Sequence, residues 1–182
     1  MPNHVYNELV VLCKDRSSLD AFISQHTNTE NGFDFNTIRK QPDNLSDQMK
    51  DENGQFKMPD WWTWGIENWG TKWNAYDCSI QEPKHFEFIT FDGSQEIYYR
   101  VRINFTTAWN EPLCEMMLEL SNMHTDCFFG LHYDGEIEYA GWYFFNNGVI
   151  TDEEEWSQHR DFDDYIVENI IEQIKLQEQM GV

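Results

Sequence analysis

The chain has 182 residues, 40% of them apolar, which is enough to bury a core and too many for a disordered polymer. Twelve Lys and Arg stand against 33 Asp and Glu, and the formal net charge of −21 argues against direct contact with nucleic acid or an anionic membrane, which the summed field would repel. Met1-Pro2-Asn3-His4 opens without a basic or apolar leader and no run approaches the length of a membrane span, so a single domain over 1–182, cytoplasmic in a bacterial host cell, is expected.

In chain order, Val5 to Leu12 reads as a strand, and Leu19, Phe22 and Ile23 recur at the spacing of a short amphipathic helix behind it. From Asn28 to Pro59 the composition turns polar, with Asn31-Gly32, Pro42-Asp43, Asn53-Gly54 and Met58-Pro59 as turn signals. A long loop at about 28–59 is expected, with only Phe33, Phe35 and Ile38 buried. Trp61 to Trp73 carries five tryptophans; Asp60 is placed to cap a helix, Trp62, Ile66 and Trp69 share one face, and Gly70 stops it before a strand near Thr71.

Ile97 to Phe105 alternates with period two and pairs with Phe86 to Phe91 across Asp92-Gly93, setting Phe88 opposite Ile97 and Phe86 opposite Tyr99. Pro112 opens a helix that aligns Leu113, Met116, Met117 and Leu120. Strands Cys127–Tyr133 and Glu136–Phe145 follow. A three-residue Tyr133-Asp134-Gly135 loop sets Leu131 opposite Ile137 and Phe129 opposite Tyr139, with Gly135 left-handed. From Thr151 onward ten acidic residues face two basic ones, a local net of −8, and Phe162, Ile166, Ile170 and Ile174 mark an amphipathic helix at about 161–178 with an acidic outer stripe.

Helices alternating with antiparallel strands predict an α+β domain whose sheet is covered on one face by helices. A ferredoxin-like βαββαβ plan accounts for the first strand and helix, the 86–105 hairpin, the Pro112 helix and the Cys127 strand. The tryptophan helix, an extra hairpin strand and the C-terminal helix are additions to it.

Three strings resemble the YubB-like proteins of phages, plasmids and other mobile elements, which have a ferredoxin-like domain and no characterised function. They are Pro2-Asn3 with Asn7, Leu9 and Val11; Glu67-Asn68-Trp69-Gly70-Thr71-Lys72-Trp73-Asn74-Ala75; and Phe105-Thr106-Thr107-Ala108-Trp109-Asn110-Glu111-Pro112. The middle string is the most specific. The resemblance runs from about residue 2 to 147, departs from the family's frequent Trp-Ser-Pro-Pro at Trp109 to Pro112, and leaves the acidic tail without a counterpart. It implies a fold and a mobile-element origin, and supplies no catalytic residues.

Chemistry-bearing motifs are sparse. Cys114, His124, Cys127 and His132 have the residue types of a zinc site without its paired spacing, so buried reduced thiols and surface histidines are expected, and no cofactor or metal is assigned. No nucleophile elbow, phosphate loop or calcium loop is present, and the chain reads as non-enzymatic. The acidic run Asp152, Glu153, Glu154 and Glu155 with Asp161, Asp163, Asp164 and Glu168 is the expected contact for a host protein with a basic surface, the carboxylates standing where phosphates would lie in a nucleic-acid decoy. The alternatives are a small-ligand pocket or enzyme at the tryptophan-rich helix, with Trp61 and Trp64 as exposed contacts and the other tryptophans in the core, or a self-assembling structural component.

Overall fold

A computed structural model describes residues 3–30, 32–89, 95–136 and 139–156. Seven strands form one antiparallel sheet. Its centre is β1 (His4–Cys13), flanked by β6 (Gln95–Ala108) and β7 (Cys127–Gly135); β8 (Tyr139–Asn146) and β9 (Val149–Trp156) extend it beyond β7. On the other side the 14 residues of β6 are long enough to pair with two short strands in succession. β4 (Tyr76–Ile80) lies along Ile103–Thr106, and β5 (Lys84–Ile89) along Gln95–Arg100. A separate two-stranded ribbon, β2 (Thr27–Asn28) with β3 (Gly32–Phe33), and a 3-10 turn at Phe35–Thr37 give the polar 28–59 region its local structure.

Alternation along β1, β6 and β7 sends Leu9, Val11, Val101, Ile103, Phe105, Phe129 and Leu131 to one face. The three helices among the described residues pack there: α1 (Arg16–His26) through Leu19 and Phe22, α2 (Asp60–Trp69) through Trp69, and α3 (Cys114–Met123) through Met116, Met117 and Leu120. Phe33 and Phe35 join this core as fully buried side chains, with Ile38 against it. The helix after Trp109 begins at Cys114, leaving Pro112 two residues before it.

Four expectations are corrected. First, even-numbered positions are buried as well: Val10, Leu12, Tyr98, Trp142 and Phe144 are inaccessible or nearly so, and Arg102 is held by Glu8 across the β1–β6 pair at 3.0 Å. The even-numbered face is therefore buried over part of its length, although Tyr6 on it stays exposed. Second, β5 pairs one residue out of the expected register, with Phe86 opposite Tyr98 and Glu87 opposite Ile97. The slip puts Phe86 on the face where Tyr98 is buried, and the Arg100 guanidinium lies 4.3 Å over the Phe86 ring. The Asp92-Gly93 turn lies outside the described residues.

Third, β7 runs on through Gly135, which is paired with Tyr139 and not left-handed; Leu131 faces Tyr143 and Phe129 faces Phe145, whose rings stack at 5.2 Å. The longer register wins because it stacks aromatic rings in the core instead of closing the hairpin early. Fourth, the cysteines do not remain apart and reduced. Cys13 and Cys127 face each other in the β1–β7 register with Cα atoms 4.4 Å apart, the close spacing of a non-hydrogen-bonded antiparallel pair, and form a buried disulfide.

Candidate functional site

The tryptophan helix sits where it does because two glycines allow it. A Cβ on Gly65 would come within 2.9 Å of the carbonyl oxygens of both Thr71 and Lys72, so only glycine lets α2 press onto the segment that follows it. Gly70, at φ 78°, ends α2 in the left-handed conformation, and a side chain there would meet Leu113 N at 2.7 Å. The chain doubles back over α2, with Thr71 fully buried and its hydroxyl donating to Trp73 O at 2.6 Å.

That reversal builds an aromatic cage. The Lys72 ammonium lies 4.6 Å from the ring centre of Trp62, 4.5 Å from Trp73 and 5.6 Å from Trp109, so one cation is shared by three indole faces. Trp62 and Trp109 meet edge to face at 5.0 Å, and Trp61 stacks on Trp62. The two tryptophans expected to be exposed contacts separate here. Trp61 is half-buried at the edge of the cage, whereas Trp64 packs against the core and meets Trp69 edge to face at 5.0 Å. Trp109, expected in the core, is 40% exposed; its positive φ of 81° could not be read from the sequence.

Two cavities open beside the N-terminal end of β1. The larger, about 440 Å³, lies on the even-numbered face and is lined by Tyr6, Glu8, Asp77, Asn104, His132 and Asp134. The smaller, about 240 Å³, is lined by His4, Trp109, Asn110, Glu136 and Tyr139 among others. His4 Nδ1 and the Tyr76 hydroxyl share a 2.6 Å hydrogen bond next to both, and burial, aided by the Asp77 carboxylate, raises the Tyr76 phenol above its ordinary range.

The acidic residues divide as well. Asp152, Glu153 and Glu154 are exposed on the strand β9, and β9 pairs with β8 alone among the described strands. Glu155 belongs to the same strand. Asp161, Asp163, Asp164, Glu168 and the expected helix at 161–178 lie outside the described residues.

The zinc-type residues are engaged otherwise. Cys127 is in the disulfide, and His124 Nε2 meets His26 Nε2 at 2.8 Å under α1; no cluster of three His, Cys, Asp or Glu suited to a metal occurs among the described residues. Burial raises the free Cys78 and Cys114 thiols, the opposite of what an activated nucleophile needs. The histidine tautomers follow from their partners. Thr37 Oγ1 donates to Asp34 O at 2.6 Å, so it accepts from His26 Nδ1–H at 2.6 Å, and His26 Nε2 then accepts from His124 Nε2–H.

Both imidazoles are held neutral, His26 at about 4 through burial and then the His124 charge, and His124 lowered by burial. Unfolded chain takes up protons on His26 below about 6.5 that folded chain refuses until about 4. The stability this provides is complete above pH 6.5 and is lost as pH falls to 4, on the order of 3 kcal/mol. Urea midpoints at pH 7 and pH 4.5 check it: His26→Gln starts less stable and loses about 2 kcal/mol less on acidification than the parent, whereas parallel losses would refute the assignment.

No protein-family model matches this chain, and no curated protein matches it. Among solved structures, it is similar to the crystal structure of protein api92 from Yersinia pseudotuberculosis, of family DUF1281, at 16% identity and a TM-score of 0.41. The match covers 56% of this chain and 32% of that one, so the chain spans about a third of the length of the protein it matches. No helix among the described residues is long and apolar enough to cross a membrane.

Proposed function

We propose that this chain is a non-enzymatic accessory protein of the phage and mobile-element kind its strings resemble, and that it binds a host protein through a basic surface on that partner. The observation that carries the reading is β9, which exposes Asp152 and Glu154 on one face and Glu153 on the other at one edge of the described sheet. An acidic edge resists pairing with another copy, since like charges would be brought together, while a basic segment meets complementary charge there. With a net charge of −21 the same surface attracts basic partners over about 8 Å, the screening length at physiological salt, and suits a decoy for nucleic acid.

On the fold, we infer the ferredoxin-like plan from the spatial order β7-β1-β6-β5, with α1 and α3 as its two helices and β4, β8, β9 and α2 as additions.

The test is affinity against ionic strength for the partner recovered from nuclease-treated bacterial lysate. Asp152→Asn, Glu153→Gln and Glu154→Gln together are expected to weaken binding about tenfold at low salt and to flatten its salt dependence. Unchanged affinity and an unchanged salt slope would reject the acidic edge as the contact.

A further inference from the structure

The smaller cavity has two partly exposed aromatic side chains in its walls, Trp109 and Tyr139. Trp109, the residue after β6, has a left-handed backbone, φ 81°, a conformation that costs a bulky side chain free energy. Three hydrogen bonds secure it: Trp109 N–H donates to Asn3 O at 2.8 Å, Thr107 Oγ1 donates to Asn110 O at 2.7 Å, and Asn110 Nδ2 donates to Gly70 O at 3.3 Å. The reversal interrupts strand alternation and leaves the indole at the rim of the sheet, 40% exposed. Lys72 and Trp62 brace the ring, so its exposed surface is held in place before anything binds.

Tyr139, the first residue of β8, lines the same cavity and is 37% exposed; Tyr133 supports its ring at a centroid distance of 5.3 Å. Glu136 adds an exposed carboxylate, and His4 and Asn110 add polar groups. The cavity is also close to the acidic edge: Gly135 pairs with Tyr139, and the next residue of β8, Ala140, pairs with Trp156 at the end of β9.

Flat aromatic walls, one carboxylate and a strongly negative chain describe a receptor for a planar cation. We propose that the Trp109–Tyr139 cleft receives the guanidinium of an arginine side chain, stacked on the aromatic rings and hydrogen-bonded by Glu136. This rests on the basic-partner reading above and names the residue type that partner inserts. Lysine fits less well, because a compact ammonium cannot stack, whereas a guanidinium is planar and offers a fork of donors. A nucleotide is disfavoured because its phosphates would approach Glu136 and the acidic field.

The experiment uses the full chain and the probe Nα-acetyl-arginine N-methylamide at low salt, followed by amide and indole NMR shifts, with the lysine analogue and adenosine in parallel. Saturable shifts at the Trp109 indole and at the Tyr139 amide are expected in the millimolar range, at least about threefold tighter for arginine than for lysine. Glu136→Gln is expected to weaken arginine binding about fivefold, with Tyr139→Ala comparable, while the charge-matched control Glu52→Gln leaves it unchanged. The control matters because both glutamate substitutions remove one negative charge from the general field.

Absence of saturable shifts, equal affinity for the lysine analogue, tighter binding of adenosine, or equal effects of Glu136→Gln and Glu52→Gln would each overturn the proposal. The two readings fail separately. Arginine shifts in a protein that recovers no salt-released partner would overturn the partner and support the cleft, whereas a salt-released partner without arginine shifts would overturn the cleft alone.

Discussion

Reduction of the Cys13–Cys127 bond is expected to lower the thermal midpoint by roughly 10 °C, the largest single effect in the molecule. The bond joins positions 114 residues apart, so when oxidised it removes a large share of the unfolded chain's freedom. The chain-entropy account puts this at about 4–5 kcal/mol for a loop of that size, and each kcal/mol moves the midpoint of a domain of this length by about 2–4 °C. It also ties β1 to β7 at the end where α3 delivers the chain into the sheet. Thermal unfolding with and without a thiol reductant, with alkylation and mass measurement to count free thiols, checks it. Two blocked thiols before reduction and four after, with the lower midpoint in reductant, is the expected result. Cys78→Ala, at a half-buried free thiol, leaves the difference intact. Four free thiols in untreated protein, or coincident melting curves, would contradict the bond.

Trp69→Ala is expected to cost about 3–5 kcal/mol, the range for removing a large buried aromatic side chain. Trp69 is almost completely buried, packs between Phe35 and Trp64, and donates its indole N–H to Arg39 O at 2.9 Å. Removing it leaves a cavity and an unpartnered carbonyl together, under the helix that carries the Lys72 cage. Trp69→Phe keeps most of the packing and loses the hydrogen bond, so a smaller cost of about 1–2 kcal/mol is expected. Trp61→Ala, at the edge of the cluster, is expected to stay within about 1 kcal/mol of the parent. Urea denaturation of the three variants gives the order directly; a Trp61 variant as damaging as the Trp69 one would mean that the roles of core and rim have been exchanged.

The sequence carried the order of the large elements well where a local signal existed. Hydrophobic periodicity placed β1, α1, β6 and α3, and Gly70 marked the end of α2 because only a left-handed residue ends a helix in that way. What was lost depended on contacts distant in the chain. The register of β5 follows from the burial of Tyr98, and the extended β7–β8 pairing follows from the stack of Phe129 on Phe145; neither can be read from turn residues alone. Cys13 and Cys127 carry no spacing signal for a bond across 114 residues, although both begin or end strands that flank one another.

Asn147-Gly148 joins β8 to β9 as a two-residue loop with φ 47° and 73°, the mirror-image turn for which Asn-Gly is the strongest short-range mark. The acids after it were therefore on a strand. At the tryptophan cluster, helical spacing placed Trp69 in the core, but Trp62, Trp73 and Trp109, also expected there, gather around Lys72 instead, while Trp64, expected exposed, packs on Trp69 against the core.

The same Asn147-Gly148 turn bears on how the protein ages. Asparagine followed by glycine is the pair most prone to spontaneous deamidation, in which the glycine nitrogen attacks the asparagine side-chain carbonyl and closes a succinimide ring. Here the Gly148 N–H donates to Ser121 Oγ at 2.8 Å, and a Cβ on Gly148 would overlap the Asn122 side chain, so helix α3 crowds the turn and engages the attacking nitrogen. Folding thus shields one of the chain's three Asn-Gly pairs, and loss of contact between α3 and the β8–β9 turn would be recorded permanently as one more negative charge.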